Sequence, residues 1–405
     1  DSNVNDVNNF TVMVNVTNTG DESLKLYKDP RGTLSSFPEN TFSISSVDGE
    51  DHPEFVGASV KYGFDTATEF VTLEPGSSFI ANHDCMSLSS YLAQFAHTPL
   101  VSEAYKFSKG GDYKIEATNL FFYKDASDSP VSISASVSAP HQAKLSGNLV
   151  SRALVKRSLE YASKSEEMKQ LVHRDTESGA LHRRVQYDTC SPSQQSMIDE
   201  TLPYVIPYLD DSISWLYAVV SSGDTRYETW FGEYALARQT IVYDHFTAIR
   251  QDDVTTYRYV CDCSRDVYGA SSISYKSTSI LLLTVMIAYV YRNEPKIVYL
   301  CTVFWSAPTT GKDSKAGTII HEASHFTING GTEDFVYGQT LAMLLAQSNP
   351  DNAIMNADNH EDDPVVRRWV PYRQKWTGEI ISLDKNEKEG NSSRVPEQRK
   401  ADWDL

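Results

Sequence analysis

Cysteine is scarce and odd in number: Cys85, Cys190, Cys261, Cys263 and Cys301 are the five in 405 residues. Soft metal ligation by the close pair Cys261 and Cys263 would need a second paired knuckle, which does not follow. Two separate disulfides are therefore the reading, with an oxidising compartment as its consequence. Basic charge is in deficit as well, 36 Lys and Arg against 54 Asp and Glu, for a formal net charge of −18. That balance repels phosphate backbones and argues against nucleic acid as a partner. It suits a soluble extracellular protein, or one that handles cationic substrates. Long hydrophobic runs are missing too. The longest, residues 280–291, is about a dozen residues where a membrane span needs ~20, so no membrane partner is expected. No apolar leader opens the chain at Asp1. The expectation is that one has been removed or lies upstream.

What is present builds cores. Hydrophobic residues make up 40% and aromatic residues 11%, which excludes wholesale disorder, and the length suggests two or three folded units. Residues 1–140 read as β: Phe10, Val12, Val14 and Val16 alternate with polar neighbours, as do Val131, Ile133, Ala135 and Val137. Asp48-Gly49 and Glu74-Pro75-Gly76 punctuate them at strand-length intervals. An immunoglobulin-like sandwich is the economical architecture. Residues 141–184 are rich in Ser, Lys, Arg and Glu and carry two dibasic steps, Lys156-Arg157 and Arg183-Arg184. They read as a solvated linker, or as a linker that proteases cut. From Cys190 the pattern turns helical, with Met197, Ile198, Leu202, Val205, Ile206 and Leu209 on one face and Pro203 and Pro207 expected to kink or shorten it. A second helix is expected to run through Tyr234 to Ile249, and strands at 257–263 and 297–304. Residues 364–405 form a charged tail with no core face. Asn9, Asn15 and Asn391 head glycosylation sequons, consistent with secretion.

One string carries chemistry. Residues 321–325 read His-Glu-Ala-Ser-His after the apolar run 316–320. On a helix, residues four apart share a face, so His321 and His325 can aim both imidazoles at one ion. Glu322 then projects beside the metal, where it can take a proton from a bound water. A catalytic zinc site needs a third protein ligand and one open position. The Asn329-Gly330-Gly331 stop signal lets the chain reverse, and Asp334, or less favourably Glu333, can return to the metal. The plain alternative for both is capping of the next helix.

His-Glu-x-x-His followed by Gly331-Thr332-x-Asp334-x-x-Tyr337-Gly338 resembles the aspzincin metalloendopeptidases, the deuterolysin and fungal peptidyl-Lys metalloendopeptidase family. Residues 226–232, Cys261-Asp262-Cys263, Tyr299-Leu300-Cys301, Phe304-Trp305, residues 307–311 and Asn356-Ala357-Asp358-Asn359-His360-Glu361 look like the peptidyl-Lys branch. Residues 16–22 and Asp29-Pro30-Arg31-Gly32 resemble pieces of its propeptide. The resemblance implies an α+β protein: the all-β sandwich at 1–140 as propeptide, a basic processing linker at 141–184, and a mainly helical zincin-like catalytic domain with a small sheet at 185–363.

It further implies one Zn2+ held by His321, His325 and Asp334, Glu322 as general base and Tyr337 as oxyanion support, a core aromatic being the alternative for Tyr337. Asp358 and Glu361 would hold the substrate lysine after the scissile bond. Two carboxylates favour a compact ammonium, although Asp362 and Asp363 beside them also fit a solvated acidic surface. The implied disulfides are Cys190–Cys261 and Cys263–Cys301, leaving Cys85 as a spare thiol rather than a zinc-blocking switch. Two departures from the family pattern stand out, an apolar insertion at 264–287 and the charged ending after Glu361. The expectation is thus a secreted zymogen whose own propeptide inhibits it and whose substrates are proteins or peptides. The rivals are a broad-specificity deuterolysin-type protease and a non-catalytic secreted zinc-containing binding protein.

Overall fold

The alternating strand Val12–Thr17 pairs antiparallel with Ser78–His83, and around that pair the front of the chain is β as its pattern predicts. The computed structural model describes residues 3–35, 37–63, 70–83, 101–124, 130–137, 140–177, 185–263 and 286–361. Cys85, the Arg183-Arg184 step, the insertion save its last two residues, the sequon at Asn391 and the 364–405 tail lie outside the described residues. Two four-stranded sheets make up most of the front. One runs Asn3–Asp6, His141–Asn148, Gly111–Ala117, Phe42–Ser46; the other runs Pro130–Ser134, Leu120–Lys124, Leu24–Tyr27, Phe70–Leu73. Val4, Phe10, Ile44, Tyr113 and Leu145 fill the first sheet's core. The α+β class holds for the described chain, while these sheets, one of them with a parallel pair, do not by themselves establish an immunoglobulin-like form.

The expected linker is mostly structured. His141–Asn148 is a strand of the first sheet, and Arg152–Glu177 is one helix of 26 residues. Leu154, Arg157, Tyr161, Lys164 and Met168 recur every three or four positions, a face that a polar composition hid. That face meets the second half of the chain: the Tyr161 hydroxyl donates to the Pro295 carbonyl, and Glu167 pairs with Arg258 at 2.8 Å. Arg157 donates to the carbonyl of Val56, pairs with Glu294 at 3.0 Å and lies over the Tyr291 ring. Arg157 of the Lys156-Arg157 step is therefore helical and engaged, while Lys156 beside it is exposed.

Behind this helix lies a five-stranded sheet in the order Gln186–Asp188, Arg258–Val260, Ile297–Leu300, Met286–Tyr291, Ala58–Tyr62. The first three run parallel and the last two antiparallel to their neighbours. The fifth strand comes from the front of the chain, and all five of its residues are buried. Ala58, Val60 and Tyr62 share one hydrophobic cluster with Tyr289, Tyr291, Tyr299 and Tyr337. This one cluster spans the boundary drawn at residue 140, whereas the main core of the second half holds only residues from 185 onward. Disulfides join Cys190 to Cys261 and Cys263 to Cys301, the pairing implied by the resemblance, and tie the sheet's ends to the chain leaving them.

Helix Pro192–Ala218 starts on a capping box, Ser191 with Gln194, and continues through both prolines for 27 residues. Each proline removes a hydrogen bond, but burial of Ile198, Leu202, Val205, Leu209 and Leu216 offsets that cost and the helix is not shortened. The short helix Thr225–Phe231 ends at Gly232, whose φ of 77° suits glycine, and Leu236–Asp252 follows. Among the described residues no helix is long and apolar enough to cross a membrane. In the full-length chain the amides of Ser59 and Lys61, which face Met286–Tyr291 across the ladder, should exchange with solvent as slowly as those of that strand. Exchange at the rate of an exposed edge would show that the fifth strand is not stably docked.

Candidate active site

The motif helix Lys315–His325 is buried along all eleven residues, with Ser314 capping it by accepting from the Gly317 N–H at 3.1 Å. Ile319, Ile320 and Ala323 anchor it in the main core. His325 Nδ1 lies 2.8 Å from the Thr332 carbonyl, which can only accept, so the proton sits on Nδ1 and Nε2 presents a lone pair. His321 Nδ1 faces Asp358 Oδ1 at 2.7 Å, which divides its ring the same way when the ring is neutral. After the helix, the N–H groups of Gly330 and Gly331 both reach back to the Phe326 carbonyl at 3.0 Å, and the chain reverses. That turn delivers Asp334.

Asp334 Oδ1 lies 3.2 Å from His321 Nε2, Asp334 Oδ2 lies 3.2 Å from His325 Nε2, and the two Nε2 atoms are 3.2 Å apart. Ligands at about 2.0–2.1 Å from a tetrahedral zinc stand about 3.3–3.4 Å from one another. The donor set therefore fits Zn2+ by spacing as well as by type. A carboxylate between two imidazoles demands positive charge. In a metal-free site protons meet that demand: burial and Lys61 oppose it, but Asp334 and Asp358 prevail and raise His321 to about 10. Both oxygens of Glu322 are buried beside this centre without a hydrogen-bond partner among the described residues, and burial pushes its carboxyl well above the usual range. Such a group is poised to hold a proton. Glu333, the weaker ligand candidate, is taken by Arg292 at 2.6 Å.

The remaining expected residues come together one step away. Asp358 and Glu361 sit on one face of the short helix Ala357–Glu361, and both are buried, so the solvated-surface alternative does not hold for them. Lys61, on the fifth strand, puts its Nζ 2.9 Å from Asp358 Oδ1 and in contact with Glu361 Oε2. Burial raises the Asp358 carboxyl, but Lys61 and His321 outweigh it and hold the group well below the usual carboxylate range. The Tyr337 hydroxyl donates to the backbone carbonyl of Val60, and its ring lies under Arg31, 4.1 Å from the guanidinium carbon. His321, Asp358 and Glu361 also form a cluster of metal-ligand type. That cluster already holds an ammonium, whereas the one made by His321, His325 and Asp334 does not.

Several contributors were not legible beforehand. A Cβ at Gly317 would meet Glu361 Cγ at 2.5 Å, so only glycine lets the carboxylate close against the motif helix. A glycine in a helix interior costs about 1 kcal/mol and signals such a packing reason. Asn359 donates to the carbonyls of Trp230 and Ala342 and accepts from Asn356, whose own Oδ1 holds the Val336 N–H. These amides fix the pocket helix to the loop that carries Asp334. Arg31 donates to the carbonyls of Asp334 and Phe335 at 3.1 and 2.9 Å, docking the front of the chain on the ligand loop.

A donor set of this kind with an unpaired carboxylate alongside is that of a zinc-dependent hydrolase. The family profile described as lysine-specific metallo-endopeptidase, the aspzincin group, matches residues 216–362. Peptidyl-Lys metalloendopeptidase from Grifola frondosa is 38% identical over 367 residues, covering 88% of this chain and 88% of its own. The enzyme of the same name from Armillaria mellea is 35% identical over 366 residues, 88% and 87% of the two chains. An extracellular protease from Aeromonas hydrophila is 27% identical over 359 residues, 86% of each. The chain belongs to the aspzincin family and is a zinc metalloendopeptidase, which sets aside the non-catalytic alternative.

A histidine pair underpins the pocket helix. His360 Nδ1 lies 3.0 Å from the Asn356 carbonyl, so its Nε2 accepts from His245 Nδ1 at 3.1 Å. Burial lowers His245 to about 4, with Asp244 opposing, and burial and then His245 lower His360 to about 3. The unfolded chain binds these protons near pH 6.5, so their contribution to stability is present above that pH and is lost as the pH falls towards 4. Between pH 7.5 and 5, wild type should lose on the order of 2 kcal/mol more stability than His245→Asn in urea unfolding. Parallel losses in the two proteins would contradict the buried neutral pair.

Proposed function

We propose that this endopeptidase is secreted as a zymogen and cuts peptide bonds on the amino side of lysine. The observation that carries the specificity is the pocket itself, two buried carboxylates closing on one ammonium. Asp358 and Glu361 supply the several acceptors and the negative charge that a compact ammonium needs, and arginine's planar fork fits such a site less well. Two disulfides and a relative named as extracellular support secretion. The front of the chain, docked by Arg31 and by the fifth strand, supports its reading as an inhibitory propeptide. Processing is assigned to the Arg183-Arg184 step, given that Arg157 is engaged.

His321, His325 and Asp334 would hold the ion. Bound zinc supplies Lewis acidity that brings a water's pKa towards ~7. Glu322 takes the water's proton at its carboxylate and returns it to the departing amine. Tyr337 donates its hydroxyl hydrogen to the carbonyl oxygen as that oxygen gains charge. Asp358 acts twice, holding the substrate ammonium on one side and orienting His321 on the other.

Glu322→Gln should retain one zinc per chain by atomic absorption while processed enzyme loses at least about a thousandfold in kcat, the scale of removing a general base. Glu361→Gln should lower kcat/KM for lysine peptides by about 2–4 kcal/mol, roughly 30- to 800-fold, with apolar-site peptides affected far less. Equal losses on both substrate kinds would favour the broad deuterolysin-type reading.

A further inference from the structure

The fifth strand presents more than a lysine to the site. Lys61 fills the space between Asp358 and Glu361, and the carbonyl one residue before it, that of Val60, accepts from Tyr337. These are the two contacts that a substrate's lysine and the carbonyl of the bond to be cut would make on the reading above. The backbone direction agrees, since Ala58–Tyr62 adds antiparallel to the edge strand Met286–Tyr291 with Lys61 opposite Ala288 and Val60 opposite Tyr289. An extended peptide binding by strand addition occupies the same edge. The Val60 N–H is tied to Glu39 Oε1 at 3.0 Å, so a carboxylate of the front region steadies the segment as well. Lys61 is 2% exposed. A lysine so deeply buried is retained only with charged partners, and here both partners belong to the specificity pocket.

We propose that Val60-Lys61 is an internal substrate mimic: latency of the unprocessed chain depends on Lys61 occupying the lysine pocket while its strand blocks the substrate edge. The inference rests on the lysine-directed reading of Asp358 and Glu361. It predicts that the block is specific in side chain, not merely steric. A lysine deletion weakens docking, because it leaves two buried carboxylates without their cation, and the substrate edge opens.

The test compares full-length wild type, Lys61→Ala and Lys61→Met on a fluorogenic lysine peptide, before and after limited proteolysis by a basic-residue protease. Unprocessed Lys61 variants should be at least tenfold more active than unprocessed wild type, and all three should reach equal activity once processed. Equal latency with equal processed activity overturns the proposal. Should these variants fail to fold, Lys61→Gln takes their place in the same comparison. At least tenfold higher activity than wild type before processing supports the mimic, and wild-type latency overturns it. Cleavage-site mapping separates the two levels. Cuts before residues of all kinds by processed wild type remove the lysine reading and this proposal with it, whereas lysine-only cuts with unchanged latency overturn this proposal alone.

Discussion

His321 is gripped from both sides, and the rest of the site follows from that grip. Its Nε2 faces Asp334 and its Nδ1 faces Asp358, so one buried ring joins the donor set that fits a zinc ion to the carboxylates that hold the Lys61 ammonium. Burial makes both ends costly to leave uncompensated. A cation is required on the Nε2 side, and another is found on the Nδ1 side in Lys61. The surrounding elements can be read as supports for this ring: Ser314 capping its helix, Gly317 admitting Glu361, and Asn356 and Asn359 pinning the pocket helix to the Asp334 loop.

The same constraint explains why the front of the chain is not a loosely tethered domain. A sheet edge left beside a cleft is open to any extended peptide. Here Ala58–Tyr62 closes it, Arg31 donates to the carbonyls of Asp334 and Phe335, and the helix Arg152–Glu177 braces the sheet from behind. Apolar packing of Ala58, Val60 and Tyr62 is joined there by charged or polar contacts from Lys61, Arg31 and Tyr161. Polar contacts of this kind, each needing its partner, specify one arrangement of the front of the chain on the sheet.

The motif was legible because its chemistry is local. His321, Glu322 and His325 share one helix, and Asp334 follows a turn that Gly330 and Gly331 announce. Asp358, Glu361 and Tyr337 were legible only by resemblance, since nothing in a charge pair predicts burial. What stayed hidden was long-range. Lys61 looks like any polar residue of an alternating strand, and only pairing with a strand more than two hundred positions away places it in the pocket. The helix Arg152–Glu177 was hidden by its composition, and the run through Pro203 and Pro207 by a cost that burial overrode.

The account stands or falls on which side of His321 takes the metal. Two clusters of suitable type share that ring, one with His325 and Asp334 and one with Asp358 and Glu361. Anomalous diffraction at the zinc absorption edge from crystals of the full-length chain decides between them. A single peak bonded to His321 Nε2, His325 Nε2 and Asp334, with the Lys61 ammonium still between Asp358 and Glu361, is the predicted result. A peak bonded to His321 Nδ1, Asp358 and Glu361, with Lys61 displaced, would contradict it.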